Sequence, residues 1–151
     1  MVGIWHPDCL TRSGMNKGSN RESRLLGDTL ARVMIVDDDR EIVELIAAIL
    51  KAAGYEVEGH TDPHQAIHGL VERAPDLMIS DYHMPGMNGP ELARQAWNRL
   101  PSLPVVFASA DSSSCLDATA AGRSFELPKP FRALDLIVTV HDALGAEVGN
   151  G

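Results

Sequence analysis

Asp37, Asp38, Asp81, Ser109 and Lys129 are scattered along 151 residues, yet each follows a short, mostly apolar run. The runs are Val33-Met34-Ile35-Val36, Leu77-Met78-Ile79-Ser80, Val105-Val106-Phe107-Ala108 and Phe125-Glu126-Leu127-Pro128. If these are parallel strands, all five side chains meet at one edge of one sheet, the edge at which open α/β sheets bind ligands. Three carboxylates, one hydroxyl and one ammonium suit a divalent cation and a phosphoryl group. Asp81 is the candidate nucleophile, because a carboxylate can attack phosphorus and form an acyl phosphate. Asp37 and Asp38 worsen its repulsion from an anionic donor unless a cation lies among them. Mg²⁺, or Mn²⁺ in its place, answers that need, since it takes hard oxygen ligands from one or two carboxylates, phosphate and water. Lys129 would neutralise the transferring oxygens and Ser109 would donate one hydrogen bond, which suits a reaction governed by positioning and charge.

Taken singly, each residue has a plainer role. Asp39 is expected to cap a helix rather than bind metal. Asp37 and Asp38 could be caps, Asp81 could belong to turn chemistry before Pro85-Gly86, and Lys129 could be solvated. The weight lies in four separate strand ends offering these types together.

The elements that would position them alternate strand and helix. The all-apolar run Val33–Val36 marks a strand buried on both faces. Ile42, Leu45, Ile46, Ile49 and Leu50 then fall at i, i+3, i+4, i+7 and i+8, one face of a helix opened by Asp39 and closed at Gly54. Strands are expected at 55–58, 77–81, 105–108 and 125–127. Asp62-Pro63 opens a helix to about residue 73, and Pro90 opens another to about 100. A short Ala-rich helix is expected over 112–121 and a last one over 132–144, with Leu136, Val140, Ala143 and Leu144 as its apolar stripe. Five βα units imply a parallel sheet covered on both faces with right-handed crossovers.

Composition narrows the field. The length suits one domain, 30–146, between a disordered extension over 1–29 and a short tail over 147–151. The formal net charge is −8, and the first 29 residues, with four basic and three acidic side chains, leave the body more acidic still. An acidic body opposes sequence-independent nucleic-acid binding and an anionic membrane surface. Two cysteines, Cys9 and Cys115, make no disulfide framework. No apolar stretch approaches a membrane span and no signal-peptide core opens the chain, so a cytoplasmic location is expected.

The segments VMIVDDDREIVELI, PDLMISDYHMPGMNGPELA, PVVFASA and LPKPF, in that order and spacing, resemble the receiver domain of two-component response regulators over residues 32–144. The resemblance implies a flavodoxin-like, CheY-like doubly wound (βα)5 fold with strand order 2-1-3-4-5. It implies Asp81 as phosphoacceptor, with Asp38, Asp81 and the backbone carbonyl of His83 as direct Mg²⁺ ligands and Asp37 holding the metal. Ser109 would turn toward the phosphoryl group, Lys129 would contact it, and the Lys129–Pro130 bond would be cis. The His83 side chain is expected to face solvent; with Asp111 it would modulate dephosphorylation.

Two departures bear on output. The position three before Lys129, usually aromatic in receivers, is Glu126. Either Glu126 plays a different part, or Phe125 shifts register to replace the ring. The segment from Ser109 to Gly122 is also about two residues shorter than usual. Ile137 and Val138 add apolar surface on the last helix, a core face or a docking or dimer surface. The resemblance therefore implies a stand-alone phosphorylation switch, not itself an enzyme beyond slow autodephosphorylation. A sensor histidine kinase or histidine phosphotransfer protein would phosphorylate it. A downstream protein would read the face built by the fourth helix, fifth strand and fifth helix, which could also form a homodimer; no direct DNA binding and no membrane contact are expected. The alternative is a phosphorylation-independent scaffold built on the same fold.

Overall fold

The computed structural model describes residues 31–110 and 123–150, with side chains described to Gly145. The 1–29 extension, Cys9, Asp111, Cys115 and the helix expected over 112–121 lie outside the described residues. The elements are β1 (Arg32–Val36), α1 (Arg40–Ala52), β2 (Glu56–His60), α2 (Pro63–Glu72), β3 (Leu77–Asp81), α3 (Gly89–Arg99), β4 (Val105–Ser109), β5 (Ser124–Pro128) and α4 (Ala133–Asn150). All strand pairs are parallel, in the order β2-β1-β3-β4-β5.

Local chemistry sets the helix starts. Asp39, Asp62 and Asn88 each sit in extended backbone and accept a hydrogen bond from the first turn of α1, α2 and α3, through Glu41 N, His64 N and Glu91 N. Such caps satisfy donors that have no partner inside the helix. Gly54 follows α1 at φ +103°, a conformation that only glycine adopts without strain.

The central strands are buried on both faces, as their apolar runs require. On one face, Val33, Ile35, Leu77, Ile79, Val106 and Leu127 pack against Val43, Ile46 and Leu50 of α1 and Leu136, Val140 and Ala143 of α4. On the other, Met34, Val36, Met78, Val105 and Phe107 pack against Ala66 and Leu70 of α2 and Leu92, Ala93 and Ala96 of α3. Helix α1 thus leaves β1 toward one face and α3 leaves β3 toward the other. The neighbouring pair β1–β3 is the topological switch point, where a crevice opens at the carboxyl ends of the strands.

Three expectations are corrected. Leu45 is 50% exposed while Val43 is buried. At 100° per residue the buried stripe centres on Val43, Ile46 and Leu50; Ile42 and Ile49 flank it and Leu45 falls on the solvent side. Helix α4 runs to Asn150, past the expected end near 144 and through most of the expected tail. Gly145 inside a helix costs only about 1 kcal/mol relative to Ala and does not stop it. The register shift offered for Phe125 is absent. In the regular β4–β5 ladder Phe125 pairs with Val106 and Glu126 with Phe107. Phe125 packs with Leu127 against the α1/α4 core, and the alternation of a strand places Glu126 on the opposite face.

Edge strand β2 is held partly by charge. The buried Arg32 guanidinium bonds Glu56 at 2.5 Å and also Glu58, while Arg73 reaches Glu56 at 2.8 Å. His60 bonds Glu58 at 2.7 Å, and the Arg32 backbone N–H donates to Asp76 at 2.9 Å.

Candidate functional site: an acidic pocket at the switch point

The pocket lies where β1, β3, β4 and β5 end together. Asp37 and Asp38 directly follow β1, Asp81 ends β3, Ser109 ends β4 and Lys129 follows β5. Parallel pairing aligns the ends: Asp81 pairs with Ala108, and Ser109 with Pro128. Two backbone bonds finish the alignment, Asp37 N–H to the His60 carbonyl at 3.1 Å and Lys129 N–H to the Ser109 carbonyl at 2.9 Å. The Lys129–Pro130 peptide bond is cis.

One carboxylate oxygen from each of Asp37, Asp38 and Asp81 lies within 4.8 Å of the others. The Lys129 ammonium donates to Asp81 Oδ1 at 3.1 Å and to Asp37 Oδ2 at 3.4 Å. Asp37 is buried, with its side chain 4% exposed; Asp81 is 12% and Lys129 25% exposed. Asp38 is exposed at the mouth and Ser109 is buried. Asp39 is the α1 cap; its backbone N–H donates to Asp37 Oδ1 at 2.9 Å, so the capping loop orients an acidic side chain of the pocket.

The charges respond unequally. Burial pushes the Asp37 carboxyl above the ordinary aspartate value; the Asp39 N–H and Lys129 oppose the rise and the Asp81 charge adds to it. Burial alone would lower Lys129, but its hydrogen bond to Asp81 and the charges of Asp37 and Asp81 outweigh that and raise it. One ion pair thus shows two upward shifts. Lys129 is the more exposed partner and has two carboxylates, whereas Asp37 is buried and shares its single ammonium with Asp81. The pocket holds more negative charge than Lys129 can balance. An all-oxygen donor set with surplus buried negative charge fits a small hard dication.

His83 is exposed at the rim, with its ring edge-on to Tyr82 at 4.9 Å; Tyr82 in turn meets Phe107 at 5.9 Å. The carboxylate cluster contains no His83 side-chain atom. Glu126 and Phe125 stand behind the pocket on opposite faces of β5, and Asp111 lies outside the described residues.

Gly89 was not singled out in the sequence. It begins α3 directly behind the nucleophile, and its N–H donates to the Tyr82 carbonyl at 2.8 Å. A Cβ there would stand 2.5 Å from the Asp81 carbonyl oxygen. The dipeptide Asn88-Gly89 before Pro90 carried the signal, but it reads equally as a turn.

A doubly wound parallel sheet with an acid trio and a lysine at its switch point defines a class: flavodoxin-like α/β proteins with an acidic pocket at the carboxyl ends of their strands. The sequence pattern described as the response regulator receiver domain matches residues 33–141, and the chain belongs to that family. It is 36% identical over 106 residues to a putative two-component response regulator, ARR21, of Arabidopsis thaliana, covering 69% of this chain and 17% of that protein. It is 32% identical over 114 residues to the DNA-binding transcriptional regulator NtrC of Salmonella typhimurium, covering 74% and 24%. The chain thus spans about a quarter or less of these curated relatives. Among solved structures, the receiver domain of NtrX from Brucella abortus superposes with a TM-score of 0.70 at 31% identity, over 75% of this chain and 98% of that one. The chemotaxis protein CheY4 of Vibrio cholerae gives 0.71 at 28%, over 75% and 98%. No helix among the described residues is long and apolar enough to cross a membrane.

Proposed function

We propose that the protein is a phosphoacceptor receiver in a two-component or phosphorelay pathway, with Asp81 as the acceptor. The observation that carries this reading is the Lys129 ammonium bridging Asp81 and Asp37 beside a cluster of three carboxylates. Bound among Asp37, Asp38, Asp81 and the backbone carbonyl of His83, Mg²⁺ (or Mn²⁺) would supply positive charge against the phosphoryl oxygens.

The donor would be a phosphohistidine of a sensor histidine kinase or histidine phosphotransfer protein. An Asp81 carboxylate oxygen attacks phosphorus; the P–N bond to the donor imidazole breaks and its electron pair stays on nitrogen. The product is the Asp81 acyl phosphate. Lys129 balances charge on the transferred oxygens and the Ser109 hydroxyl donates to one of them. Water later attacks phosphorus, releasing orthophosphate and restoring the carboxylate. The exposed His83 would shade the acyl phosphate. On this reading the protein is a switch rather than an enzyme acting on other substrates, and it works in the cytoplasm. Its output would be a changed face around β5 and α4, read by a downstream protein partner.

Several relatives bear names as DNA-binding regulators, and those names describe proteins much longer than this chain. The acidic body favours a protein partner over DNA for the receiver itself.

Intact-mass measurement after incubation with acetyl phosphate and Mg²⁺ tests the reading. Wild type should gain one phosphoryl group; Asp81→Asn, or wild type in EDTA, should not. An unmodified wild-type protein that still binds its partner would instead identify a phosphorylation-independent scaffold.

A further inference from the structure

We propose that Glu126 is an electrostatic governor of the pocket: its fixed negative charge favours the cation and resists the phosphoryl anion, tuning how long and how fully the site stays charged. The inference rests on the phosphoacceptor reading and deepens it.

The placement is specific. Glu126 is exposed on β5, and it has no hydrogen bond or ion pair among the described residues. No described residue therefore cancels its charge by direct contact. The described basic groups closest to it in sequence have other partners: Lys129 pairs with Asp81 and Asp37, Arg123 with the Trp97 ring at 4.4 Å and the Pro101 carbonyl, and Arg132 with Asp135.

The ladder brings this charge near the pocket. Glu126 pairs with Phe107, so it shares a sheet face with Phe107 and, one repeat further on, Ser109. Asp81 pairs with Ala108 and Ala108 with Leu127, so Glu126 is two strands from Asp81, about 10 Å between Cα atoms. Alternation places Asp81 on the other face, in line with Ile79 and Leu127, so the interaction passes through the buried strand β4, which keeps water from screening it fully. Phe125, the ring next in sequence, is packed in the opposite core. Strand β5 thus carries a carboxylate about 10 Å from a site whose occupancy by phosphoryl changes its charge.

At this separation and about 20 mM ionic strength, one elementary charge alters the affinity of a dication about threefold and of a monoanion about twofold. The decisive feature is sign. A change of shape at residue 126 would move both affinities together; a change of charge moves them apart.

The test is calorimetric titration of wild type, Glu126→Gln and Glu126→Lys with Mg²⁺ alone, then with beryllofluoride, a phosphoryl analogue, at saturating Mg²⁺. Glu126→Gln should bind Mg²⁺ about threefold more weakly and beryllofluoride about twofold more tightly, and Glu126→Lys should extend both changes in the same directions. All differences should vanish near 0.5 M salt. Unchanged affinities, or two affinities moving in the same direction, overturn the proposal. If wild type binds Mg²⁺ but no beryllofluoride, the phosphoacceptor reading itself fails and the role of Glu126 falls with it. If wild type binds both and the variants match it, only the role of Glu126 fails.

Discussion

Gly89→Ala asks how rigidly the fold must hold its nucleophile. A Cβ built at residue 89 falls 2.5 Å from the Asp81 carbonyl oxygen, 3.1 Å from Tyr82 Cα and 3.2 Å from Phe107 Cδ1. Two of these neighbours are backbone atoms, so no side chain can simply rotate away from them. Ordinary contact begins near 3.4 Å, which requires about 0.9 Å of separation along the first vector. The 2.8 Å bond from Gly89 N–H to the Tyr82 carbonyl resists that separation. Overpacking of this kind costs about 1–3 kcal/mol. The better helix propensity of Ala returns less than about 1 kcal/mol. In a domain of this size the thermal midpoint should fall by roughly 4–10 °C. The same displacement moves Asp81 relative to Asp37 and Lys129, and Mg²⁺ demands near-ideal octahedral geometry, so its affinity should fall at least about fivefold. Scanning calorimetry in EDTA reads the first effect and isothermal titration with Mg²⁺ the second. A lower midpoint with unchanged Mg²⁺ affinity would mean that α3 yields and Asp81 stays, which refutes the positioning role of Gly89. No change in either would refute the packing reasoning altogether.

Three further outcomes are expected. Because burial raises the Asp37 pKa, its ionisation opposes folding of the metal-free protein. That penalty grows as pH rises from the unfolded aspartate value, about 3.9, through the raised folded value. Asp37→Asn should therefore melt a few degrees (roughly 2–6 °C) higher than wild type at pH 7 in EDTA, show no gain near pH 3 and lose its stabilisation by Mg²⁺; a lower midpoint at pH 7 would contradict the sign. Lys129→Met removes the cation that competes with Mg²⁺, so Mg²⁺ should bind at least about fivefold more tightly while acetyl-phosphate labelling slows about a hundredfold. Titration and timed mass spectra separate the two, and parallel losses would count against the assigned role. Arg32→Leu leaves Glu56 and Glu58 facing the sheet without their shared guanidinium and should cost about 2–4 kcal/mol in urea unfolding. A change under about 0.5 kcal/mol would place the network among exposed pairs of little consequence.

Much of this was legible in the chain. The apolar runs of β1, β3 and β4 are strands because both their faces are covered, and the middle of a strand buried twice has little room for an unpaired charge. That is why Asp37, Asp38, Asp81, Ser109 and Lys129 mark strand ends in the sequence itself. The caps Asp39 and Asp62 were legible for a local reason: a short acceptor before a helix satisfies donors only a few residues away. Other features depend on partners distant in sequence. Leu45 and Val43 are both apolar and both plausible on an amphipathic face; only the seating of α1 on the sheet, with Val43 against Gly59 of β2, decides which is buried. Phe125 could have stood for the missing ring until its pairing with Val106 placed it in the other core. Gly89 reads as a turn glycine until α3 folds back onto the Asp81 carbonyl. Which groups meet, and at which edge, can be read along the chain, because burial and strand alternation act locally. Their spacing and their unequal charges emerge with the folded sheet, because those depend on atoms that neighbouring strands bring in.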